Sequence, residues 1–325
     1  MENQFKYNFV ILGGRGYYDV GYHDLKSLSN VRYFGSIYEG QESLLTRKLT
    51  RFTFSKEVNR HCRMPFKNIT FSQIFPVDFP KDQPICFLFF RSYYKISHEY
   101  IKYLREKYMD SRFVLYFQDR VDLISDYNPE QASKDFDLIY SYNRKDCEEY
   151  GLLYHPTPYS RYNVPLDPDV AQSDVFFCGK AKTRYESIFS AYSVCQGMGL
   201  KCDFYVADVP ESVNVPDGIH INEHLTYMQY LQHLTKSKIV LDIMQEGVDG
   251  YTPRVWESIM YDKHLLTNSK ELPKSPYYNT SYMHDLDNSL TRVNSLISQP
   301  VQYSDEAKLK LSPINLLKDI ERRIQ

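Results

Sequence analysis

Asp249-Gly250-Tyr251-Thr252-Pro253-Arg254-Val255-Trp256-Glu257 follows an apolar run, Lys238 to Ile243, and opens a stretch with helical character. Thr252 is a good N-cap, because its side-chain oxygen accepts a free backbone amide, and Pro253 suits the first helical position, where no amide is missed. A strand leading into such a helix start is one βα unit. The unpaired N–H groups and the positive end of the helix dipole face whatever lies beyond the strand, which favours a phosphate. Glu257, one turn inside, is placed to receive ribose hydroxyls.

The same grammar runs along the chain. Short apolar runs alternate with helical patterns in both halves, the signature of parallel sheets covered by helices, so the fold class is α/β. In the first half the expected strands are 8–12, 84–90, 113–117 and 136–140, with a helix from Ser97 to Tyr108 between the second and third. Pro156, Pro158, Pro165 and Pro168 keep the stretch 154–169 out of regular structure, which makes it the linker. Two domains of about 150 residues are the natural division of 325 residues. Their expected bounds are 1–165 and 166–325.

The second half restarts with a strand at 175–178, then Gly179-Lys180-Ala181-Lys182 and a capping-box pattern, Thr183 to Glu186. Ile188, Tyr192, Cys195 and Met198 recur at helical spacing, and Gly199 is the expected stop. Further strands are expected at 202–207, 219–221, 238–243 and 264–267, with a second capping box from Thr226 to Gln229. The segment 305–324 reads as a helix broken at Pro313, a candidate to pack back on the first domain. Two helix starts thus follow parallel strands, where open α/β sheets bind ligands, and they share one crevice if the strands are neighbours. Lys180, Lys182 and Arg184 around Gly179, with Arg254 and the amides near Thr252, would then cradle a pyrophosphate. The plain alternative is solvated surface charge.

Composition narrows the class. With 39 basic and 41 acidic side chains the formal charge is -2, so nothing global points to nucleic acid. A hydrophobic fraction of 42% with 30 tyrosines excludes a disordered chain. The cysteines at 62, 86, 147, 178, 195 and 202 form no CxxC pair, which reads as scattered thiols in a reducing compartment and points to the cytosol. No run approaches the roughly 18 apolar residues of a membrane span, so any membrane contact is expected to be peripheral.

The run from Tyr230 through Asn268, with its strand KSKIVLDI, loop QEGVDGYTPRVWES and closing KHLLTN, resembles the donor-binding domain of GT-B glycosyltransferases. The likeness is greatest to bacterial enzymes that build lipopolysaccharide, capsule or exopolysaccharide. The segment DLIYSYNRKDCEEYGLLYHPTPY, 137–159, resembles the end of the N-terminal domain in such proteins. The resemblance implies two Rossmann-like domains whose parallel sheets face across a cleft, with the nucleotide-sugar donor on the second and the acceptor on the first. It also implies transfer of a sugar, a UDP-sugar being favoured, to a saccharide or lipid-linked saccharide, with no cofactor and no obligatory metal. Many retaining members carry two glutamates with seven residues between them, and Asp249 and Glu257 stand at that spacing here. Carried over, Glu257 holds the ribose, Asp249 lies near the sugar hydroxyls, and the amides of Gly250, Tyr251 and Thr252 face the phosphates. Asp249 is one methylene shorter than the usual Glu, and Thr252 stands where the pattern has Gly. Transfer of a phosphoalditol or pyruvyl group on the same scaffold, or a non-catalytic glycan- or nucleotide-binding module, are the alternatives.

Gly13-Gly14-Arg15-Gly16 follows the first strand, but Asp19 occupies the third glycine position of the dinucleotide fingerprint. The resemblance implies that Gly13, Gly14 and Arg15 approach donor phosphate or acceptor; a plain tight turn is the alternative. His220-Ile-Asn-Glu223-His224 spells HxxEH, yet the helix starts after it, at Thr226, so the two imidazoles share no helix face for zinc. Three groups are candidate general bases because each follows a first-half strand at its carboxyl end: Asp119, Asp19 and His23. Surface or loop-capping roles are their alternatives. Finally, 41–67 holds Arg47, Lys48, Arg51, Lys56, Arg60, Arg63 and Lys67, with Leu45, Leu49 and Phe52 at near-helical spacing. Such a segment suits anionic lipid at the inner face of a membrane, or the pyrophosphate of a lipid-linked acceptor. The alternative is a solvated helix whose apolar side packs on the N-terminal sheet.

Overall fold

The computed structural model describes residues 5–41, 43–55, 58, 61, 67–80, 82–90, 98–124, 127–245 and 251–324. The chain divides into two units, Met1–Ser160 with Leu311–Gln325, and Arg161–Lys310. The first holds a six-stranded parallel sheet in the order β2-β1-β3-β4-β5-β6. Its strands are β1 (Asn8–Leu12), β2 (Val31–Phe34), β3 (Ile85–Phe90), β4 (Arg112–Phe117), β5 (Leu138–Ser141) and β6 (Leu153–Tyr154). The runs NFVIL and ICFLFF are buried at every position, as expected of parallel strands covered on both faces.

The division between units falls after Ser160 rather than after 165, and the final helix, Ile314–Arg323, belongs to the first unit. The reason is its apolar stripe. Leu316, Leu317 and Ile320 are fully buried in one cluster with Phe9, Ile11 and Tyr140. Tyr140 also donates from its hydroxyl to Asp319 at 2.9 Å.

The second unit carries another six-stranded parallel sheet, ordered β12-β11-β10-β7-β8-β9. Its strands are β7 (Val175–Lys180), β8 (Cys202–Ala207), β9 (His220–Ile221), β10 (Ile239–Asp242), β11 (His264–Thr267) and β12 (Met283–Asp285). After β9 the chain turns back through the helix Tyr227–Lys236 and lays β10 beside β7, pairing Ile239 with Val175 and Val240 with Phe176. The strand order therefore reverses between β7 and β10, which opens a crevice beyond their carboxyl ends.

Local signals resolve unevenly. The Thr226 capping box forms in both directions, with Gln229 N donating to Thr226 Oγ1 at 3.3 Å and Thr226 N to Gln229 Oε1 at 2.9 Å. The Thr183 box does not form: the helix Tyr185–Gly197 has Arg184 at its N-cap, with no side-chain cap bond, because residues 182–184 wind as a 3-10 turn first. Gly199, at φ +76°, follows that helix end as expected. Ser97, the expected cap of the helix His98–Lys107, lies outside the described residues.

Candidate functional site

β7 and β10 bring two arginines onto one glycine. Arg254, on the first turn of the helix Pro253–Met260, donates from Nη2 to the Cys178 carbonyl on β7 and from Nη1 to Asp242 Oδ1 on β10 at 3.3 Å. Arg184 donates to the Lys180 carbonyl at 3.1 Å and to the Ile243 carbonyl. Both guanidinium carbons sit over the Phe177 ring, at 5.4 and 5.8 Å from its centroid. A Cβ on Gly179 would lie 3.0 Å from Arg254 Nη2 and 3.2 Å from Arg184 Nη2, so the missing side chain leaves the space that the two cations close.

Two buried carboxylates stand beside the two cations: Asp242 pairs with Arg254 and accepts from the Thr267 hydroxyl at 3.0 Å, and Glu257 also draws on the Arg254 charge. Burial, and next the Arg254 charge, pull Arg184 down to about 10. For Arg254 burial pulls the same way, but Tyr230, Asp242 and Glu257 outweigh it and the net shift is upward. Two cations held against carbonyl oxygens in a partly buried recess are a ready site for an anion.

Thr252 stands at the N-cap with Pro253 following, but its hydroxyl makes no cap bond. Thr252 Oγ1 and Arg254 Nε are both buried with no hydrogen-bond partner among the described residues. These unmet polar atoms lie at the start of the same helix, where a ligand oxygen would satisfy them.

Glu257 is 1% exposed. Its Oε1 accepts from the Tyr227 hydroxyl at 2.7 Å and its Oε2 from the Tyr230 hydroxyl. The two rings, one turn apart on the helix Tyr227–Lys236, stack at 5.6 Å and 17°. Burial raises the Glu257 carboxyl above its usual range, although both tyrosines and Arg254 pull the other way. Sequence reasoning missed Asp242, Tyr227 and Tyr230. The tyrosine spacing of three on a capped helix was the available signal, but their meeting with Glu257 is a contact across sequence.

The remaining expected donor residues are dispersed. Lys180 pairs with Asp208 at 3.0 Å on the surface, and Lys182 reaches Gln245 at 3.4 Å. Tyr251 packs edge-on against Trp256 at 5.8 Å. Asp249 and Gly250 lie outside the described residues. A cavity of 580 Å³ in this unit is lined by Lys201, Asp203, Tyr205, His220 and His233 among others, and by neither Arg184 nor Arg254. His220 sits in β9, stacked on Tyr205 at 4.4 Å and 3.2 Å from Glu223, so HxxEH has no helix beneath it.

In the first unit the glycine turn is held from within. Gly13 N donates to the Phe34 carbonyl at 3.0 Å, Gly14 N to the Tyr33 hydroxyl at 3.2 Å, and Gly16 N to Asp19 Oδ2 at 2.9 Å. Asp19 spends its other oxygen on Lys26 at 2.9 Å, and the exposed Arg15 faces Glu39 at 3.6 Å. His23 is exposed in a 3-10 turn. Asp119 is exposed just past the carboxyl end of β4, near Tyr142, whose hydroxyl is pushed up to about 12 by burial and then by Asp119. Gln118 beside it donates to the Tyr22 hydroxyl and keeps a buried Oε1 with no partner among the described residues.

No family model matches the chain and no curated protein matches it. Solved structures do. An α-glucosyltransferase in complex with UDP and a 13-mer DNA is similar over 97% of this chain and 99% of its own, at 10% identity and a TM-score of 0.54. The UDP-GlcNAc 2-epimerase from Methanocaldococcus jannaschii is similar over 96% and 99%, at 8% identity and a TM-score of 0.49. A DNA-modifying β-glucosyltransferase is similar over 97% and 96%, at 12% and 0.47. With two six-stranded parallel sheets, one per unit, the chain has the GT-B fold.

Proposed function

We propose that the protein is a glycosyltransferase that moves a sugar from a nucleotide-sugar, a UDP-sugar first among them, to a saccharide or lipid-linked saccharide in cell-surface polysaccharide assembly. The observation that carries the reading is the Arg184–Arg254 pair over Gly179 at the switch point between β7 and β10. In the reaction the bond from the anomeric carbon to the diphosphate breaks and a bond to the acceptor oxygen forms. The acceptor proton passes to a base, and the departing diphosphate gains charge beside the two guanidiniums, which are fixed in place before the reaction. That arrangement supplies positive charge without an obligatory metal. Glu257, with Tyr227 and Tyr230, serves the nucleoside end. Asp119, the exposed carboxylate just past the carboxyl end of β4, is assigned to the acceptor.

The α-glucosyltransferase named above was solved with DNA. Here a formal charge of -2 offers no general attraction to a polyanion, and the acceptor is read as saccharide. The test is a thermal-shift panel with UDP, GDP, TDP, CDP and ADP, followed by turnover of the sugar nucleotides of the best base. Stabilisation by one diphosphate, lost on Arg254→Gln, supports the reading. Indifference to all five sinks it.

A further inference from the structure

The helix Leu44–Phe54 is built inside out. An amphipathic surface helix normally turns its apolar stripe to the core and its polar face to water. Here the fully inward positions are Thr50 and Thr53, at 0% and 2% exposure, while Leu44, Leu45, Leu49 and Phe52 stand 75%, 67%, 43% and 49% exposed. The inward hydroxyls are satisfied locally: Thr50 donates to Gln41 Oε1 at 3.1 Å and Thr53 to the Leu49 carbonyl at 2.8 Å. The apolar side therefore does not pack on the sheet, contrary to the plain reading of the sequence. The helix Lys67–Ser72 is joined to it through Phe54 and Phe71, whose rings lie 5.6 Å apart, and exposes Ile69 as well, at 61%.

Charge accompanies the apolar face. At about 100° per residue the four apolar side chains cover an arc of about 140°, with Lys48 inside it and Arg47 and Arg51 along one flank. None of these three cations has a carboxylate partner among the described residues, and the sequence 41–67 holds seven Lys and Arg against two acids, Glu42 and Glu57. Arg47 is steadied by its bond from Nε to the Gln41 carbonyl at 2.8 Å.

We propose that this face docks flat on an anionic lipid bilayer. Leu44, Leu45, Leu49 and Phe52 enter the boundary between headgroups and acyl chains, and the stems of Lys48 and Arg51 lift their charges to the lipid phosphates. With 11 residues the helix cannot span a bilayer, so it lies in the interface plane. Nucleic acid would use the cations but leave the leucines and Phe52 in water; lipid uses both. The inference is independent of the transferase reading, since it rests on the first unit's surface and concerns neither donor nor chemistry.

The test is co-sedimentation of the whole protein, without donor or acceptor, with vesicles of phosphatidylcholine alone and of phosphatidylcholine mixed with phosphatidylglycerol. Wild type is expected to sediment with the mixed vesicles and not with the neutral ones. Leu45→Ser/Phe52→Ser weakens binding by about tenfold or more. Lys48→Gln/Arg51→Gln weakens it by a comparable factor and flattens its salt dependence. Both pairs are exposed, so melting temperatures should match wild type and a folding defect is separable. Absence of binding to the mixed vesicles overturns the proposal, as does binding that both variants retain. A dimer in gel filtration that Leu45→Ser/Phe52→Ser dissolves, with no vesicle binding by wild type, overturns it in favour of a second copy of the chain.

Discussion

Arg184 and Arg254 come from different βα turns yet point their Nη2 atoms at the same glycine, Gly179, and among the described residues only Arg254 of the two has a carboxylate in ion-pair contact, the buried Asp242 at 3.3 Å. Two like charges this close, Arg254 mostly buried and Arg184 half-buried, cost free energy in the free protein that a bound anion offsets. Arg184→Gln is therefore expected to leave the melting temperature of the free protein unchanged or raised, and to weaken binding of the preferred nucleoside diphosphate by about tenfold or more. Calorimetry and melting curves on the same samples check both halves. Lower stability with intact affinity would make the pair a structural brace.

Glu257 makes a second, separable claim. Its two oxygens hold two tyrosine hydroxyls, so Glu257→Ala strips both of their acceptor inside a buried site, a loss of about 2–3 kcal/mol. On the proposed role of Glu257 at the nucleoside end, nucleotide affinity should fall severely as well. Tyr230→Phe separates the two effects: it removes one hydroxyl, frees one carboxylate oxygen, and should cost stability while sparing affinity. If Glu257→Ala binds nucleotide as wild type does, Glu257 is an anchor for the tyrosines alone.

These contacts also mark where the sequence stops speaking. The buried strands were legible because a parallel strand covered on both faces must be apolar throughout, as 9–12 and 85–90 show. The Thr226 capping box was legible because both partners lie within four residues. β2 was not: its sequence VRYF sits at a sheet edge, half exposed, and carries an arginine. The stripe of Ile314–Arg323 shows that this helix must be buried but not against which sheet, so the sequence offers the first domain as a candidate and the contacts with Phe9, Ile11 and Tyr140 identify it. The Thr252 hydroxyl is the instructive miss. Propensity placed it correctly at the N-cap, yet its oxygen is unpartnered among the described residues, a departure from local rules of the kind expected where a site is built.

Acid should loosen the second unit through two histidines. His264 is 1% exposed; its Nδ1 lies 3.2 Å from His284 Nε2 and its Nε2 lies 3.3 Å from the Gln299 carbonyl. One proton on each ring satisfies that chain, and a second on His264, at Nδ1, sets two donors face to face. Burial lowers both below the usual histidine range; for His284 the His264 and Arg292 charges add to it, and for His264 backbone hydrogen bonds oppose it without reversing it. In the unfolded chain the same groups take protons near pH 6.5. Stability is thus fully present above about pH 6.5 and is lost as pH falls below it toward the lowered folded values. Melting curves from pH 7.5 to 5 should show the drop, and His284→Gln should flatten it. An unchanged slope in that variant would place the acid sensitivity elsewhere.

The turn after β1 offers the sharpest choice between binding loop and plain turn. A Cβ on Gly13 would lie 2.7 Å from Tyr33 Cζ, and the ring has little room to retreat. Its hydroxyl donates to the Gly14 carbonyl at 2.7 Å and accepts from Gly14 N at 3.2 Å, which ties the ring to the turn it would have to leave. Gly13→Ala is expected to destabilise the first unit by about 1–3 kcal/mol, the usual range for forcing an extra carbon into a packed site. The amides of Gly13, Gly14 and Gly16 already have acceptors inside the unit, so nucleotide affinity in the second unit should not move. Chemical denaturation and calorimetry on Gly13→Ala read the two quantities separately. A loss of affinity at unchanged stability would return Gly13 and Gly14 to the phosphates, and Tyr33→Phe, which frees the Gly14 amide, would then be expected to tighten binding rather than leave it as it was.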